Sequence, residues 1–392
     1  MRVLGLISGT SHDGIDAALV DFSLSGSTLE ATVVVESSIS YSTDLRERII
    51  ASLPPGSTSA SEICQLDILV GREFARAAQL LLGDDHAVDL VVSHGQTIYH
   101  WVEGVHARGS LQIGQPAVIA ETLGAPVIAD IRSRDIAAGG HGAPLVSILD
   151  ELLLRDRPGR HGALNLGGIA NITVVNDGQV TRAYDIGPAN ALIDAAVREH
   201  DLNPAGYDSQ GAIARRGSVV KPLLATLLDD PYYALPAPKS TGKELFHPHY
   251  VAEALQASGV SPAPADLVAT LTQLTIETVV AAVRAEDLAS LIVSGGGCRN
   301  QTLMEGIATA LPEVSIETTD AIGLPPDAKE AVAFALIGWL SWHGLPGAVP
   351  AATGARRGAI LGSLTPGSRE LVLPAPLELP PRAIRLTTAR PA

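Results

Sequence analysis

Residues 163–190, ALNLGGIANITVVNDGQVTRAYDIGPAN, put three apolar runs and two tight turns into one short segment, and no other stretch restricts the fold as strongly. The first run stops at Gly167-Gly168 and the second, 169–175, follows at once. A reversal that abrupt calls for residues that tolerate positive φ and let another group approach the backbone. Asn176-Asp177-Gly178 signals a further hairpin turn, and the strand it opens is expected to end on Asp185. Ile186-Gly187-Pro188-Ala189-Asn190 then leads into a helical pattern over 191–200. Asp185 is thereby expected at a strand end, facing a helix N-terminus, either as a catalytic carboxylate or as a turn or N-cap residue.

The N-terminal region repeats the device. Residues 3–7 and 17–22 read as paired strands around the loop Ser8-Gly9-Thr10-Ser11-His12-Asp13-Gly14-Ile15-Asp16. Glycines, hydroxyls and two carboxylates in one loop suit a phosphate and its divalent ion; a polar hairpin loop is the plain alternative. Two such hairpins on either side of a cleft would grip a nucleotide polyphosphate.

The other signals arrange themselves around these two. Residues 61–82 place Ile63, Leu66, Val70, Phe74, Ala77 and Leu81 on one helical face and stop at Gly83. A buried strand over 88–92 delivers Ser93-His94-Gly95-Gln96-Thr97 to its C-terminal end, where open α/β sheets bind ligands. Substrate positioning by His94, Gln96 and Thr97 is favoured there over proton transfer by His94. The strand 126–130 runs into Arg132 and Arg134, which suit an anionic ligand group or an interdomain salt bridge with Asp135. Lys239, Ser240, Thr241 and Lys243 read as solvated, with Lys239 contacting a phosphate as the other reading. A helix is expected over 266–284. A strand over 290–293 then feeds Gly295-Gly296-Gly297 and a helix over 301–310, a junction on whose exposed backbone a flat ring can lie. Glu330, in the first turn of a last apolar helix, either complements the helix dipole or points into the cleft.

A chain of 392 residues with 46% apolar content is long enough for two cores. The expected division is 1–135, 136–370 with a helical insertion, and an extended surface tail over 371–392, with the tail as a candidate to complete the first domain. A net charge of -15 argues against nucleic acid or an anionic membrane as partner. Cys64 and Cys298 are too few for a disulfide framework and fit a reducing cytosol. The first residues carry no secretory pattern, and the longest apolar run, 331–340, is short of the roughly 20 residues of a membrane span, so a soluble protein is expected.

Several segments together are similar to those of anhydro-N-acetylmuramic acid kinases, in the same order and over nearly the whole chain: GLISGTSHDGID from Gly5, SHGQT from Ser93, LQIG from Leu111, AAGG from Ala137, LNLGGIANIT from Leu164, KSTG from Lys239 and GGG from Gly295. The resemblance implies an α/β fold of two ribonuclease-H-like, actin-like ATPase domains flanking a nucleotide and sugar cleft. It implies an ATP- and Mg²⁺-dependent enzyme that opens the 1,6-anhydro ring and phosphorylates O6, working as a homodimer. Under it Asp185 is the catalytic base and Asp13 the metal ligand. Residues Gly9 to Asp16, with Gly167 and Gly168, cradle the phosphates, and Gly295 to Gly297 meet the adenosine. Arg132 or Arg134 meets the lactyl carboxylate, and Glu330 orients sugar hydroxyls. The chain departs from the family pattern at His12, Gln115, His141 and Ala189. A levoglucosan-type kinase and a non-catalytic ATP-gated sugar clamp are the competing readings.

Overall fold

The computed structural model describes the chain apart from residues 10, 11, 84, 85, 105, 238, 243, 244 and 390–392. Its strands, in chain order, are β1 (Arg2–Ser8), β2 (Gly14–Ser25), β3 (Thr28–Ser40), β4 (Leu90–Glu103), β5 (His106–Ile113), β6 (Val127–Ala129), β7 (Arg160–Leu166), β8 (Ile169–Asn176), β9 (Gln179–Pro188), β10 (Ser290–Ser294), β11 (Ser315–Thr318), β12 (Ser363–Thr365) and β13 (Ala383–Thr388). The chain divides into one unit made of Met1–Asp156 with Ile322–Ala392 and another made of Arg157–Ala321.

The first unit is built on a sheet of order β12-β6-β4-β1-β2-β3-β13, with β5 paired to β4 as a side arm. β1 pairs antiparallel with β2 and parallel with β4, and β4 is parallel to β6. Alternation along β1 sends Val3 and Ile7 to one core and Leu4 and Leu6 to the other, so both faces are covered and the strand reads as one continuous apolar run. The helix Ala60–Leu82, capped at Ser59, fills one face with Leu66, Val70 and Phe74. The helices Ser147–Leu154 and Lys329–Trp342 fill the other, with Leu149, Leu152, Phe334 and Leu336.

The second unit repeats the order as β11-β10-β7-β8-β9, with β7, β8 and β9 antiparallel and β10 parallel to both β7 and β11. Counted within each unit, with the β5 arm and the two edge strands β12 and β13 of the first sheet set aside, both sheets run third, second, first, fourth, fifth strand. This is the arrangement expected of ribonuclease-H-like domains, and the chain is two-domain α/β as the resemblance implied. The helix Pro264–Ala285 is long and apolar enough by length and composition to cross a membrane, but 72% of its apolar window is buried within the protein. Leu267, Leu271 and Leu274 pack in one core of this unit, and Ile276, Val279 and Val283 in another.

The expected boundary at 135/136 falls inside the first unit, for reasons visible in the packing. The helix Ser147–Leu154 belongs to the core that also holds Val3 and Val92, and its Asp150 makes a buried ion pair with Lys329 at 2.6 Å. The stretch expected to extend over the surface ends in β13, which pairs parallel with β3 and forms the sheet edge.

The seat of the last helix is made by glycines. A Cβ on Gly5 of β1 would overlap the carbonyl oxygen of Ala331, and one on Gly338 would overlap a methyl of Val92 on β4. At Gly5 the strand and helix backbones therefore meet directly, and at Gly338 the helix backbone rests on the Val92 side chain. Gly5→Ala is expected to destabilise the protein by about 1–3 kcal/mol through overpacking, whereas Gly9→Ala, where a Cβ would meet nothing within 4 Å, stays within about 0.5 kcal/mol. Urea denaturation midpoints of the two variants check this.

Candidate functional site

In the first unit, the loop between β1 and β2 is shorter than expected, because Gly14, Ile15 and Asp16 lie on β2. Ile15 is fully buried, and a Cβ on Gly14 would run into the Ile39 carbonyl, so these two residues serve sheet packing and do not line an open cradle. Thr10 and Ser11 lie outside the described residues. His12 has φ 54, a left-handed conformation that histidine tolerates better than most non-glycine residues, and its carbonyl accepts from Arg46 Nε at 3.1 Å. Asp13 is exposed. The Asp16 carboxyl is pushed above the usual carboxylate range, first by burial and then by Asp13, Asp327 and Glu36, against a hydrogen bond from Ser38.

Ser93 to Thr97 stand within β4, at the place where the strand bends away from β1: Gly95 has φ 74 and the β1–β4 register shifts here. Gln96 is fully buried, with Oε1 2.6 Å from the Ser8 hydroxyl and Nε2 donating to the Thr97 carbonyl at 3.2 Å. The Thr97 hydroxyl accepts from Gln112 at 3.1 Å. His94 is 3% exposed and packs 4.9 Å, centroid to centroid, from Phe334. Its Nδ1 donates to the Gly95 carbonyl and its Nε2 accepts from Arg132 Nε, both at 2.9 Å. Both ring nitrogens are thus engaged within the protein. The ring is a neutral acceptor that orients Arg132.

Arg132 also donates from Nη1 to the Gly142 carbonyl at 2.6 Å, which leaves donors on the outer edge of its planar fork. Burial pulls its guanidinium down to about 10, with Glu330 and Asp135 acting the other way. Asp135 is engaged within its own unit. Fully buried, it accepts from the Gly142 N–H and the Thr353 hydroxyl, each at 2.8 Å, and so pins the glycine-rich loop after the helix Ser133–Ala137. Arg134 is exposed on that helix. Glu330 is pushed up, first by burial and then by Asp16, while Arg132 and Lys329 pull it down. Glu330, Arg132 and Asp16 therefore form one electrostatic group at the start of the helix Lys329–Trp342, more than a dipole complement.

In the second unit, Asp177 and Gly178 both have positive φ, 47 and 78, as a two-residue hairpin turn of the primed type requires. Gly167 does not need the left-handed region. The carbonyls of Gly167 and Gly168 accept instead from the N–H groups of Ala189, Asn190 and Ala191 at 2.9 to 3.0 Å, tying the turn to the N-terminus of the helix Asn190–Glu199. Gly295 has φ 85 and no room for a Cβ beside Asn165 and Leu166, Gly297 is pressed on Leu166, and only Gly296 faces open space. The helix Gln301–Ala310 follows, capped by Asn300.

Asp185 is not at a strand end. β9 continues to Pro188, and Asp185 pairs with Asn171 while Gly187 pairs with Ala170, so Ile186 is the extra residue of a β-bulge. Bulges re-aim a side chain next to active sites. The Asp185 carboxylate Oδ2 accepts from the Ser240 hydroxyl and the Thr241 N–H. Ser240 is exposed, as expected, and Thr241 half-buried, while the Lys239 ammonium, expected to be solvated or to contact a phosphate, donates to the Tyr232 and Tyr233 carbonyls. Lys243 lies outside the described residues. The sequence offered one signal for this grouping, the KSTG segment, but nothing local ties it to Asp185.

The family model described as Anhydro-N-acetylmuramic acid kinase matches residues 1–367. The chain belongs to the anhydro-N-acetylmuramic acid kinase family. Relatives of that name include one from Streptomyces coelicolor (52% identical, covering 98% of this chain and 99% of the relative). Another is from Rhodococcus erythropolis (48%, covering 98% and 99%). As a member of the family the chain is a kinase. Solved structures similar to it include an activator of 2-hydroxyisocaproyl-CoA dehydratase from Clostridium difficile with bound ADPNP (13% identical, TM-score 0.41, covering 86% of this chain and 94% of that one). A ROK family glucokinase from Streptomyces griseus with glucose and AMPPNP has TM-score 0.38 at 13% identity, covering 86% and 98%. Likeness at that level carries no argument.

The state of His94 has a consequence for stability in acid. Its imidazole is pushed down from 6.5 to about 3, first by burial and then by Arg132, against the Gly95 carbonyl. The unfolded chain takes a proton below about pH 6.5 that the folded chain refuses until about pH 3, so this contribution is whole above pH 6.5 and is lost as pH falls through that window. The ceiling is about 1.4 kcal/mol per pH unit. His94→Gln, which keeps an acceptor for Arg132, is expected to lose less stability than the parent between pH 7 and pH 5, measured by urea unfolding at both.

Proposed function

We propose that this kinase uses ATP and water to open the 1,6-anhydro ring of anhydro-N-acetylmuramic acid and phosphorylate O6, giving N-acetylmuramic acid 6-phosphate and ADP for peptidoglycan recycling. The observation that carries this reading is the Asp185 carboxylate, re-aimed by a bulge and gripped by Ser240 and Thr241, in a chain that matches the family over residues 1–367. The relatives reported above carry the muramyl kinase name, which favours neither the levoglucosan reading nor the non-catalytic clamp.

An anhydrosugar has no free hydroxyl at C6, so C1–O6 must break as O6 is phosphorylated. Asp185 takes a proton from a water placed behind C1, and the water oxygen bonds to C1. The C1–O6 electron pair stays on O6, which attacks the γ-phosphorus as ADP departs. Arg132, with two donors fixed by His94 and Gly142, presents its remaining fork to the lactyl carboxylate, and Glu330 orients sugar hydroxyls. Gly9, His12 and Asp13 in the first unit are assigned to phosphate, as is the Gly167-Gly168 turn in the second, and Gly296 offers its open face to the adenosine.

Among the described residues no group of three His, Cys, Asp or Glu side chains is arranged to hold a metal. Mg²⁺ binds through one or two carboxylates with phosphate oxygens and water. Asp13 would hold it, exposed and close enough to Asp16 to help raise the Asp16 carboxyl, whose shift comes first from burial. When bound, the ion offsets charge on the β- and γ-phosphates. A homodimer is carried over from the family resemblance, and a cytoplasmic location from the sparse cysteines.

The test is ADP release with Mg²⁺ and ATP on three sugars: anhydro-N-acetylmuramic acid, levoglucosan and N-acetylmuramic acid. Turnover on the first alone is expected, and turnover on levoglucosan instead would overturn the assignment. Asp185→Asn is expected to keep nucleotide and sugar binding while losing turnover by roughly 10²- to 10⁴-fold.

A further inference from the structure

We propose that the segment Lys239-Ser240-Thr241 is the device that positions Asp185 for proton abstraction, an inference that rests on the reading of Asp185 as the base. The Ser240 hydroxyl and the Thr241 N–H converge on one carboxylate oxygen, Oδ2, each at 2.9 Å. Two donors from adjacent residues fix the rotation of a carboxylate about its Cβ–Cγ bond, which a single donor does not. Charged acceptors also make the stronger hydrogen bonds.

The contacts around the carboxylate close on themselves. The Asp185 N–H donates to the Lys239 carbonyl at 3.0 Å, and the Asp185 carbonyl accepts from the Tyr232 hydroxyl at 2.7 Å. Lys239 Nζ donates to the carbonyls of Tyr232 and Tyr233 at 3.0 and 3.1 Å and lies 4.6 Å from the Tyr232 ring centroid. The path therefore runs from Asp185 through Tyr232 to Lys239, and through Ser240 and Thr241 back to Asp185. The lysine acts as the anchor of this loop, with two of its three N–H donors held by backbone carbonyls.

Exposure separates a positioning role from a merely structural one. Ser240 is exposed, so its hydroxyl has water as a ready alternative partner, and its removal costs the fold little. Its effect falls on the aim of the base. A small misplacement of a reacting group costs turnover far more than it costs binding.

The experiment compares the parent enzyme with Ser240→Ala, Ser240→Thr, Lys239→Met and Asp185→Asn, measuring kcat, KM for ATP and for anhydro-N-acetylmuramic acid, and Tm. Ser240→Ala is expected to lower kcat on the order of tenfold to a hundredfold, with both KM values within about twofold and Tm unchanged. Ser240→Thr, which keeps the hydroxyl, restores most of the loss, and Lys239→Met lowers kcat in the same sense. If Lys239→Met does not fold, the Ser240 pair decides. An unchanged kcat in Ser240→Ala beside an inactive Asp185→Asn would overturn the positioning role and leave the base in place. A raised KM with kcat intact would overturn it too, making the segment a binding loop. Full activity in Asp185→Asn would remove the base itself.

Discussion

The contact between β1 and the helix Lys329–Trp342 is the constraint on which the rest of the first unit depends. Gly5 lets the Ala331 carbonyl come against the strand, and Gly338 lets the helix lie on Val92 of β4. A side chain at either glycine would lift the helix off the sheet. Because the helix is held at that distance, its first turn is fixed too: Lys329 reaches Asp150 at 2.6 Å in the interior, and Glu330 interacts with Arg132 and Asp16. A packing requirement in the core thus sets the position of charged groups at the rim.

Those charged groups are balanced by geometry more than by number. Arg132 carries its charge in a setting that disfavours it, and a neutral histidine, not a carboxylate, is its direct partner at Nε. A carboxylate there would neutralise the fork and compete for any anion brought to it. A neutral acceptor fixes its direction and leaves the charge in force. In the second unit the logic is reversed: the anion Asp185 is held by the neutral donors Ser240 and Thr241, while the cation Lys239 is turned away to backbone carbonyls.

Much of this was legible in the sequence because the signals were local. The helix Gln301–Ala310 falls where its apolar spacing and the glycines before it place it, and the Asn176-Asp177-Gly178 turn shows the positive φ values that its composition demands. Three features were not legible, each decided by a distant partner. Gly14 to Asp16 join β2 because β3 pairs with them as far as Ser40. Asp185 sits at a bulge because of its register against Asn171. The first unit takes in residues 136–156 because Asp150 and Leu149 pack against the helix that starts at Lys329. Local composition carries no trace of a partner so far along the chain.

The pairing of β13 with β3 has a bearing on how the chain is made. All strands of the second unit lie within Arg157–Ala321, so that unit is fully synthesised while the first still lacks the helix Lys329–Trp342 and its edge strand. Until those residues emerge, the sheet face that meets Phe334 and Leu336 and the outer edge of β3 stand open on the nascent chain. Exposed apolar faces and unpaired strand edges are what draw chaperones and aggregation during synthesis. The unit begun first is therefore the one finished last, and it is most exposed while the ribosome translates the other.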